Sequence, residues 1–372
     1  MDETYPAIDS FQSRPPAWGG PIAQVFSAVA CLAVLAWASL AVHDGGATKA
    51  HLRALRDVDV IVRRETAREL ANPERFDVRL TIPALARATA DSDVEVRAEA
   101  IHALGYLGAD AIRRGDPTAR DAAAGSVLAA LAAVEGRVKA EALGTVSLLI
   151  RAAKASGGAG PRASWPADRG ALVVRVAALL DDPAAEVRNA AAGVLALLPD
   201  DLDPVFPALL EASVREPDIR GGPRRRWASL ALDRSRPTTA AVPSLVGALG
   251  SPEPRVRSQA AALLGKIGPA AVAAVPALLP LLGEPAAADP RDDPATAAVS
   301  ALGQVAPGTP EARRVVEALQ RSRPLDETPR GRSVAEALRR FGPNGEAVPR
   351  GLQAATRPEL SDLPPDDPQP RR

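Results

Sequence analysis

The chain has 372 residues, and its 45 lysines and arginines balance 45 aspartates and glutamates, so the formal net charge is zero. Such a balance provides no overall field that would attract nucleic acid or acidic lipid, and a single cysteine excludes an intrachain disulfide. One compact domain rarely exceeds about 300 residues, so this length indicates either two domains or a repeat array, in which each repeat contacts only its neighbours.

The first 42 residues predict a tail followed by a membrane anchor. Residues 1–20 are polar and acidic, with Arg14 as the only basic side chain, and we expect them to be disordered. Ile22–Val42 then runs for 21 positions without a charge. About 20 apolar residues span a bilayer, so the sequence predicts a transmembrane helix over residues 21–42 and a linker over residues 43–48.

The charges that flank this segment predict its topology. One basic residue precedes it, and five basic residues follow it within a short stretch: Lys49, Arg53, Arg56, Arg63 and Arg64. The positive-inside rule therefore predicts a single-pass protein with its main part in the cytoplasm. A signal peptide cleaved after Ala41 would instead export that part, although the acidic N-terminus argues against it. A lipoprotein signal ending at Cys31 fits less well, because eleven more mostly apolar residues follow.

Ile82–Gly108 is the clearest stretch of the remainder and reads as a helical hairpin. Pro83 suits the start of a first helix, Ser92 and Glu95 form a capping-box pattern that opens a second, and Gly105 and Gly108 suit its end. The second helix has one apolar stripe, formed by Val96, Ala100, Leu104 and Leu107. A single hairpin cannot bury its own apolar face, so neighbouring repeats are expected.

Two independent markers recur with a similar period along the chain. Second helices carry a valine before a basic residue, at Val62-Arg63, Val96-Arg97, Val138-Lys139, Val187-Arg188 and Val256-Arg257, and Arg225 occupies the same position without the valine. First helices carry a proline after an apolar residue, at Phe206-Pro207, Val242-Pro243, Val275-Pro276 and Val348-Pro349, with Thr309-Pro310 as a polar version. The markers predict about eight hairpins over residues 49–355 and a disordered, proline-rich tail over residues 356–372.

The residues of the second repeat also carry a family resemblance. Asp91-Ser92-Asp93-Val94-Glu95-Val96-Arg97, with Ala100 and Ala103-Leu104-Gly105, resembles the short HEAT repeat and is similar to the HEAT-like repeats of phycobilisome lyases and of bacterial scaffold proteins. The resemblance implies an all-α fold: an α-solenoid of about eight HEAT-like helical hairpins, here preceded by one transmembrane helix. Such solenoids host scaffolds, adaptors and a few enzymes, so the resemblance is specific for architecture rather than activity.

The resemblance also implies a structural ladder between repeats. An acid and a basic residue lie six positions apart across three of the predicted turns, as Asp57 and Arg63, Asp91 and Arg97, and Asp182 and Arg188, and Arg257 continues the row. In the family, each arginine is expected to bond the turn acid of its own or the next repeat. The alternative is a surface that binds a charged partner.

One basic cluster is a candidate site for a partner or an anion. It lies within residues 215–236 and comprises Arg220, Arg224, Arg225, Arg226 and Trp227. Arginine and tryptophan together can contact phosphates or stack on bases. The zero net charge of the chain favours a protein or a lipid headgroup over nucleic acid, and a solvated loop is the remaining interpretation.

The sequence predicts no catalytic, metal or cofactor site. Its three histidines, His43, His51 and His102, form no His-Glu dipeptide, and the only cysteine lies in the apolar segment. Neither a phosphate-binding loop nor a Gly-x-Ser-x-Gly elbow occurs. We therefore predict a membrane-anchored, non-enzymatic scaffold that binds a protein partner along the solenoid. The alternatives are a lyase-type HEAT-repeat enzyme and a nucleic-acid-binding protein that uses the cluster at residues 215–236.

Overall fold

The structure, a computed structural model, describes residues 46–156, 168–215, 226–287, 289, 292–322 and 328–342. These ranges are helical and contain no strand. The helices are α1 (residues 46–54), α2 (Val60–Glu69), α3 (Val78–Ala88), α4 (Val94–Arg114), α5 (Pro117–Ala130), α6 (Gly136–Ala155), α7 (Arg169–Ala177), α8 (Ala185–Leu195), α9 (Phe206–Arg215), α10 (Trp227–Arg234), α11 (Val242–Ala248), α12 (Pro254–Ile267), α13 (Val275–Leu278), α14 (Pro294–Val305), α15 (Ala312–Arg321) and α16 (Pro329–Arg339). Short 3-10 turns extend α7, α9, α11 and α13.

These helices pair into eight consecutive hairpins. The even-numbered helices pack side by side, from α2 through α4, α6 and α8 to α10, and again from α12 through α14 to α16. Odd-numbered helices form the second layer, in which α3 packs on α5 and α9 on α11. One apolar core runs through the stack from Leu55 to Leu338. The predicted α-solenoid of about eight hairpins is therefore confirmed, and the predicted membrane helix and both tails lie outside the described residues.

Aspartates start several helices, and they correct two predicted boundaries. Asp93, rather than Ser92, caps α4, because its carboxylate accepts hydrogen bonds from the backbone N–H groups of Glu95 and Val96. Asp77 caps α3, which therefore begins five residues before Pro83. Pro83 lies inside the helix rather than at its first turn, so the expectation for its position was wrong.

The glycines predicted to end α4 instead allow helices to approach each other. The helix continues through Gly105 and Gly108 to Arg114 and ends at Gly115, whose φ is +69°. A Cβ atom on Gly105 would lie 2.5 Å from Cγ2 of Thr145 in α6. The same close approach recurs further along, where a Cβ on Gly303 in α14 would lie 2.7 Å from Cβ of Ala337 in α16.

One described helical stretch, Pro254–Gly283, is long and apolar enough to cross a membrane. It consists of α12, a 3-10 turn, α13 and a second 3-10 turn. The stretch bends at Gly268, whose φ is +72°, and it packs against α14. Its apolar side chains, including Val256, Leu264 and Leu278, belong to the core of the solenoid.

Candidate protein-binding surface

A row of basic side chains joins each hairpin to the next at the turns. Arg63 donates through Nε and Nη2 to the two carboxylate oxygens of Asp91, each at 2.9 Å, and through Nη1 to the backbone carbonyl of Asp57 at 2.9 Å. Burial opposes the ionisation of Asp91, but hydrogen bonds from Arg63 and from the backbone N–H of Asp93 outweigh it and lower the pKa of that carboxyl. Arg63 thus links the turn of its own hairpin to the turn acid of the next.

The same arrangement recurs along the stack. Arg97 donates to the carbonyl of Asp91 at 2.7 Å and to Glu135 of the third hairpin at 2.7 Å. Arg257 donates to the carbonyl of Ser251 at 2.7 Å and to Glu284 at 2.9 and 2.6 Å. We call this set the turn row: Arg63, Arg97, Lys139, Arg188 and Arg257.

Two members of the turn row meet at Asp182. Lys139 bonds its carboxylate from the preceding hairpin, and Arg188 donates to its backbone carbonyl at 2.7 Å. In each described case the carboxylate therefore belongs to the following hairpin, whereas the contact within a hairpin is to a backbone carbonyl. At the junction of the seventh and eighth hairpins the direction is opposite: the later hairpin supplies the cation and the earlier one the carboxylate. Arg330 of the eighth hairpin donates to Asp293 of the seventh at 3.1 Å.

A second polar row crosses the exposed sides of α2, α4 and α6. Arg68 donates to Glu99 at 2.7 Å, and Nδ1 of His102 lies 2.8 Å from a carboxylate oxygen of Glu141. The ring of His102 lies 5.0 Å from that of Tyr106, which is exposed. We call this set the even-helix surface: Glu65, Arg68, Glu99, His102, Tyr106 and Glu141.

The sequence pattern alone did not single out His102 and its neighbours as a site. The available signal was the spacing of Glu99, His102 and Tyr106, which are three and four residues apart and so share one helix face. The hydrogen bond to Glu141 raises the pKa of His102 and lowers that of Glu141, against the opposing effect of burial. The even-helix surface thus carries alternating charges, one titratable imidazole and one exposed aromatic ring.

The structure describes only two members of the predicted arginine–tryptophan cluster, Arg226 and Trp227. Arg220, Arg224 and Arg225 lie outside the described residues, and Arg226 precedes the first turn of α10. Trp227 is only partly exposed and packs against the core. A Cβ on Gly193 in α8 would lie 3.7 Å from its indole ring. The indole therefore packs α10 on α8.

A groove of about 750 Å³ lies beside this cluster, between α10 and α12. Its charged lining is Arg226, Asp233, Arg234, Arg255 and Asp292. Nε of Arg255 lies 3.3 Å from a carboxylate oxygen of Asp292, so part of this charge is neutralised locally. Among the described residues, no group of three or more histidine, cysteine, aspartate or glutamate side chains could hold a metal ion.

Lys266 of α12 bridges the same junction. Its Nζ donates to the backbone carbonyls of Leu232 at 2.9 Å and Asp233 at 2.7 Å. Burial lowers the pKa of its ammonium group, and the charge of Asp233 opposes that change. Because both hydrogen bonds hold α12 on α10, the cation is part of the framework that shapes the groove.

Residues 206–295 match the family model described as HEAT repeats. The solenoid fold extends beyond that range. No curated protein matches the chain. The more specific likeness to phycobilisome-lyase repeats stays a prediction.

Among solved structures, a Kap121p mutant aligns with 79% of this chain and 33% of its own, at 14% identity and a TM-score of 0.53. Kap121p bound to Pho4p covers the same shares, at 15% identity and a TM-score of 0.52. An engineered protein aligns over 79% of this chain and 78% of its own, at 23% identity and a TM-score of 0.40. This chain spans about a third of the length of Kap121p, and at these identities the likeness shows the fold alone.

Proposed function

We propose that this protein is a membrane-anchored, non-enzymatic scaffold that binds a protein partner through the even-helix surface. The observation that carries the proposal is the exposed Tyr106 beside the His102–Glu141 pair. Tyrosine in a polar surrounding is a frequent anchor of protein interfaces, since it buries a large ring while its hydroxyl stays hydrogen-bonded.

The distribution of charge supports this choice of surface. The cations of the turn row are engaged in holding hairpins together. The even-helix surface presents Glu65 and Arg68 on α2, Glu99 and His102 on α4, and Glu141 on α6. A partner segment that lies across α2, α4 and α6 would meet both signs of charge and one aromatic ring. Such complementarity gives specificity to a solenoid interface.

The fold comparison adds limited support. Kap121p, which shares the fold, has been solved bound to the protein Pho4p. That complex shows the fold used for protein binding in another protein. The alternative function, nucleic-acid binding, would use Trp227 to stack on bases. The indole of Trp227 packs against the core instead, so it does not support that function.

The test is capture of a partner by the full-length chain. The solubilised protein, chemically cross-linked in cells and analysed by mass spectrometry, should enrich a defined partner. Tyr106→Ala should weaken binding of that partner by roughly 30-fold, the effect of a typical aromatic anchor of about 2 kcal/mol. The matched control is Val174→Ala in the odd-numbered helix α7, which removes another exposed apolar side chain. Equal binding by both variants would contradict the proposed surface.

The membrane anchor is proposed from the sequence of Ile22–Val42. A C-terminally tagged full chain should remain with membranes through carbonate and high-salt washes, and its mass should include the first residues. Replacing Leu32 and Leu35 with arginine should release it, because each charge opposes insertion by about 3 kcal/mol. A soluble product that begins near Val42 would show cleavage instead and would refute the anchor.

A further inference from the structure

The first hairpin exposes an apolar position that the other hairpins bury. Four valines that start second helices are at most 6% exposed: Val96, Val138, Val187 and Val256. The corresponding Val62 in α2 is 37% exposed. Each buried valine has a described hairpin before it in the stack, whereas Val62 has none. Among the described residues, no hairpin therefore covers the apolar outer face of the first hairpin.

The residues around Val62 increase this apolar character. Ile61 is 66% exposed at a position where later hairpins carry mostly charged side chains, namely Glu95, Arg137, Glu186 and Arg255. Val58, in the turn between α1 and α2, is almost fully exposed. Isolated exposed apolar side chains are common on protein surfaces, but three within five residues form a patch that a partner or a membrane can cover.

Basic side chains without ion pairs lie in the same part of the molecule. Arg53 near the end of α1, Arg56 in the turn that follows and Arg87 of α3 line a groove of about 670 Å³ between the first two hairpins, in which Arg63 pairs with the acidic lining residue Asp91. Leu55 and Ala84 contribute apolar surface to its lining. None of Arg53, Arg56 and Arg87 has a carboxylate within 4.0 Å among the described residues. Residues 49–64 contain five basic and two acidic side chains, a local net charge of +3.

We propose that the first hairpin, with the end of α3 beside it, docks on an anionic phospholipid surface. Val58 and Ile61 enter the interfacial layer, and Arg53, Arg56 and Arg87 contact lipid phosphates. Exposed apolar side chains flanked by arginines are what such a surface binds, through burial of apolar area and attraction to anionic headgroups. The inference rests on the membrane anchor of the proposed function.

The position of the apolar segment supports a lipid occupant over other candidates. Only three residues separate Ile22–Val42 from residue 46, the first described residue of α1, and three residues span at most about 11 Å. A segment that crosses the bilayer therefore places the start of α1 at its surface. The same segment is a poor occupant of the face itself, because it has no polar side and docking would cover only part of it.

The experiment measures lipid contact at single positions of the full chain. In a Cys31→Ser background, a fluorophore is attached at Ile61→Cys, and the protein is reconstituted into nanodiscs that contain brominated phosphatidylcholine, with or without phosphatidylglycerol. The matched control is Val134→Cys, which labels a 90% exposed valine two hairpins along. We expect brominated lipid to quench the label at position 61 in anionic discs and to leave the label at position 134 unquenched.

Arginine variants test the electrostatic part. Combining Arg53→Gln, Arg56→Gln and Arg87→Gln should lower the docking equilibrium by roughly 100-fold, at about five-fold for each cation near an anionic surface. Arg313→Gln in α15, which removes a 91% exposed arginine, should leave it unchanged.

Two results would overturn the inference: a label at position 61 that stays unquenched in anionic discs, and equal quenching in neutral and anionic discs. In the first case, slow thiol labelling at position 61 would indicate a protein occupant instead. Co-elution of the chain with the discs reports the anchor separately, so loss of docking is distinguishable from loss of anchoring.

Discussion

Replacing Arg97 with methionine should loosen the junction between the second and third hairpins. The substitution keeps an unbranched apolar stem and removes every donor. Arg97 is mostly buried and donates to the carbonyls of Asp91 and Ser92 at 2.7 and 3.1 Å, and to the more exposed Glu135 at 2.7 Å. The two bonds to carbonyls come from a charged donor and contribute about 2–3 kcal/mol together, whereas the exposed ion pair contributes about 0–1 kcal/mol.

Hydrogen exchange followed by mass spectrometry is the appropriate assay. A repeat array does not unfold as one two-state unit, so a single melting temperature would mix several junctions. A loss of 2–3 kcal/mol corresponds to roughly 30- to 150-fold faster exchange of amides that open with the turn between α3 and α4. Circular dichroism of the variant should remain helical, since the core residues are untouched.

Arg313→Met in α15 is the control, because it removes an exposed arginine that pairs with Glu317 on its own helix at 3.0 Å. Such a pair contributes about 0.3–0.5 kcal/mol. If Arg97→Met exchanges no faster than Arg313→Met and yet loses a bound partner, the turn row is a binding surface rather than a structural one.

Two further predictions concern helix contacts. Gly303→Ala should destabilise the junction of α14 and α16 by about 1–3 kcal/mol, because its Cβ would lie 2.7 Å from that of Ala337. Gly144→Ala, in the same Ala-Leu-Gly context but facing open space, should stabilise α6 by about 0.5–1 kcal/mol; denaturant titration compares the two. The pKa of His102, followed by NMR, should lie above 6.5 and fall in Glu141→Gln. Because folding raises the pKa of His102, its pair with Glu141 stabilises the folded chain fully below pH 6.5, and this contribution is lost as the pH rises through the pKa of the folded state. After correction for intrinsic rates, the amides of α4 and α6 should therefore exchange faster at pH 8 than at pH 5.

The repeat period was predictable from sequence because both markers are physical requirements of the hairpin. Pro207, Pro243 and Pro276 do lie in the first turn of a helix, where a missing N–H has no consequence. Pro83 does not, because Asp77 caps α3 earlier. The residues next to Pro83 do not distinguish it from these three prolines.

The candidate site was less predictable, since it depends on which side chains meet across hairpins. Trp227 packs beside Gly193, 34 positions away, and Lys266 binds the carbonyl of Leu232. His102 meets Glu141 only because α4 and α6 pack side by side. A helix-face pattern shows which residues are exposed, but contacts between separate helices follow from their packing distance and rotation.

The direction of the turn row bears on how the chain assembles as it leaves the ribosome. From Arg63 to Arg257, each cation with a described carboxylate partner finds it in the hairpin made next. A newly synthesised hairpin thus brings the acid to a guanidinium or ammonium group that is already folded, and assembly can proceed one unit at a time without distant contacts. The reversed pair of Arg330 and Asp293 makes the seventh hairpin the acceptor from both sides. One of its two ionic contacts at the turns therefore forms only after the eighth hairpin has been translated.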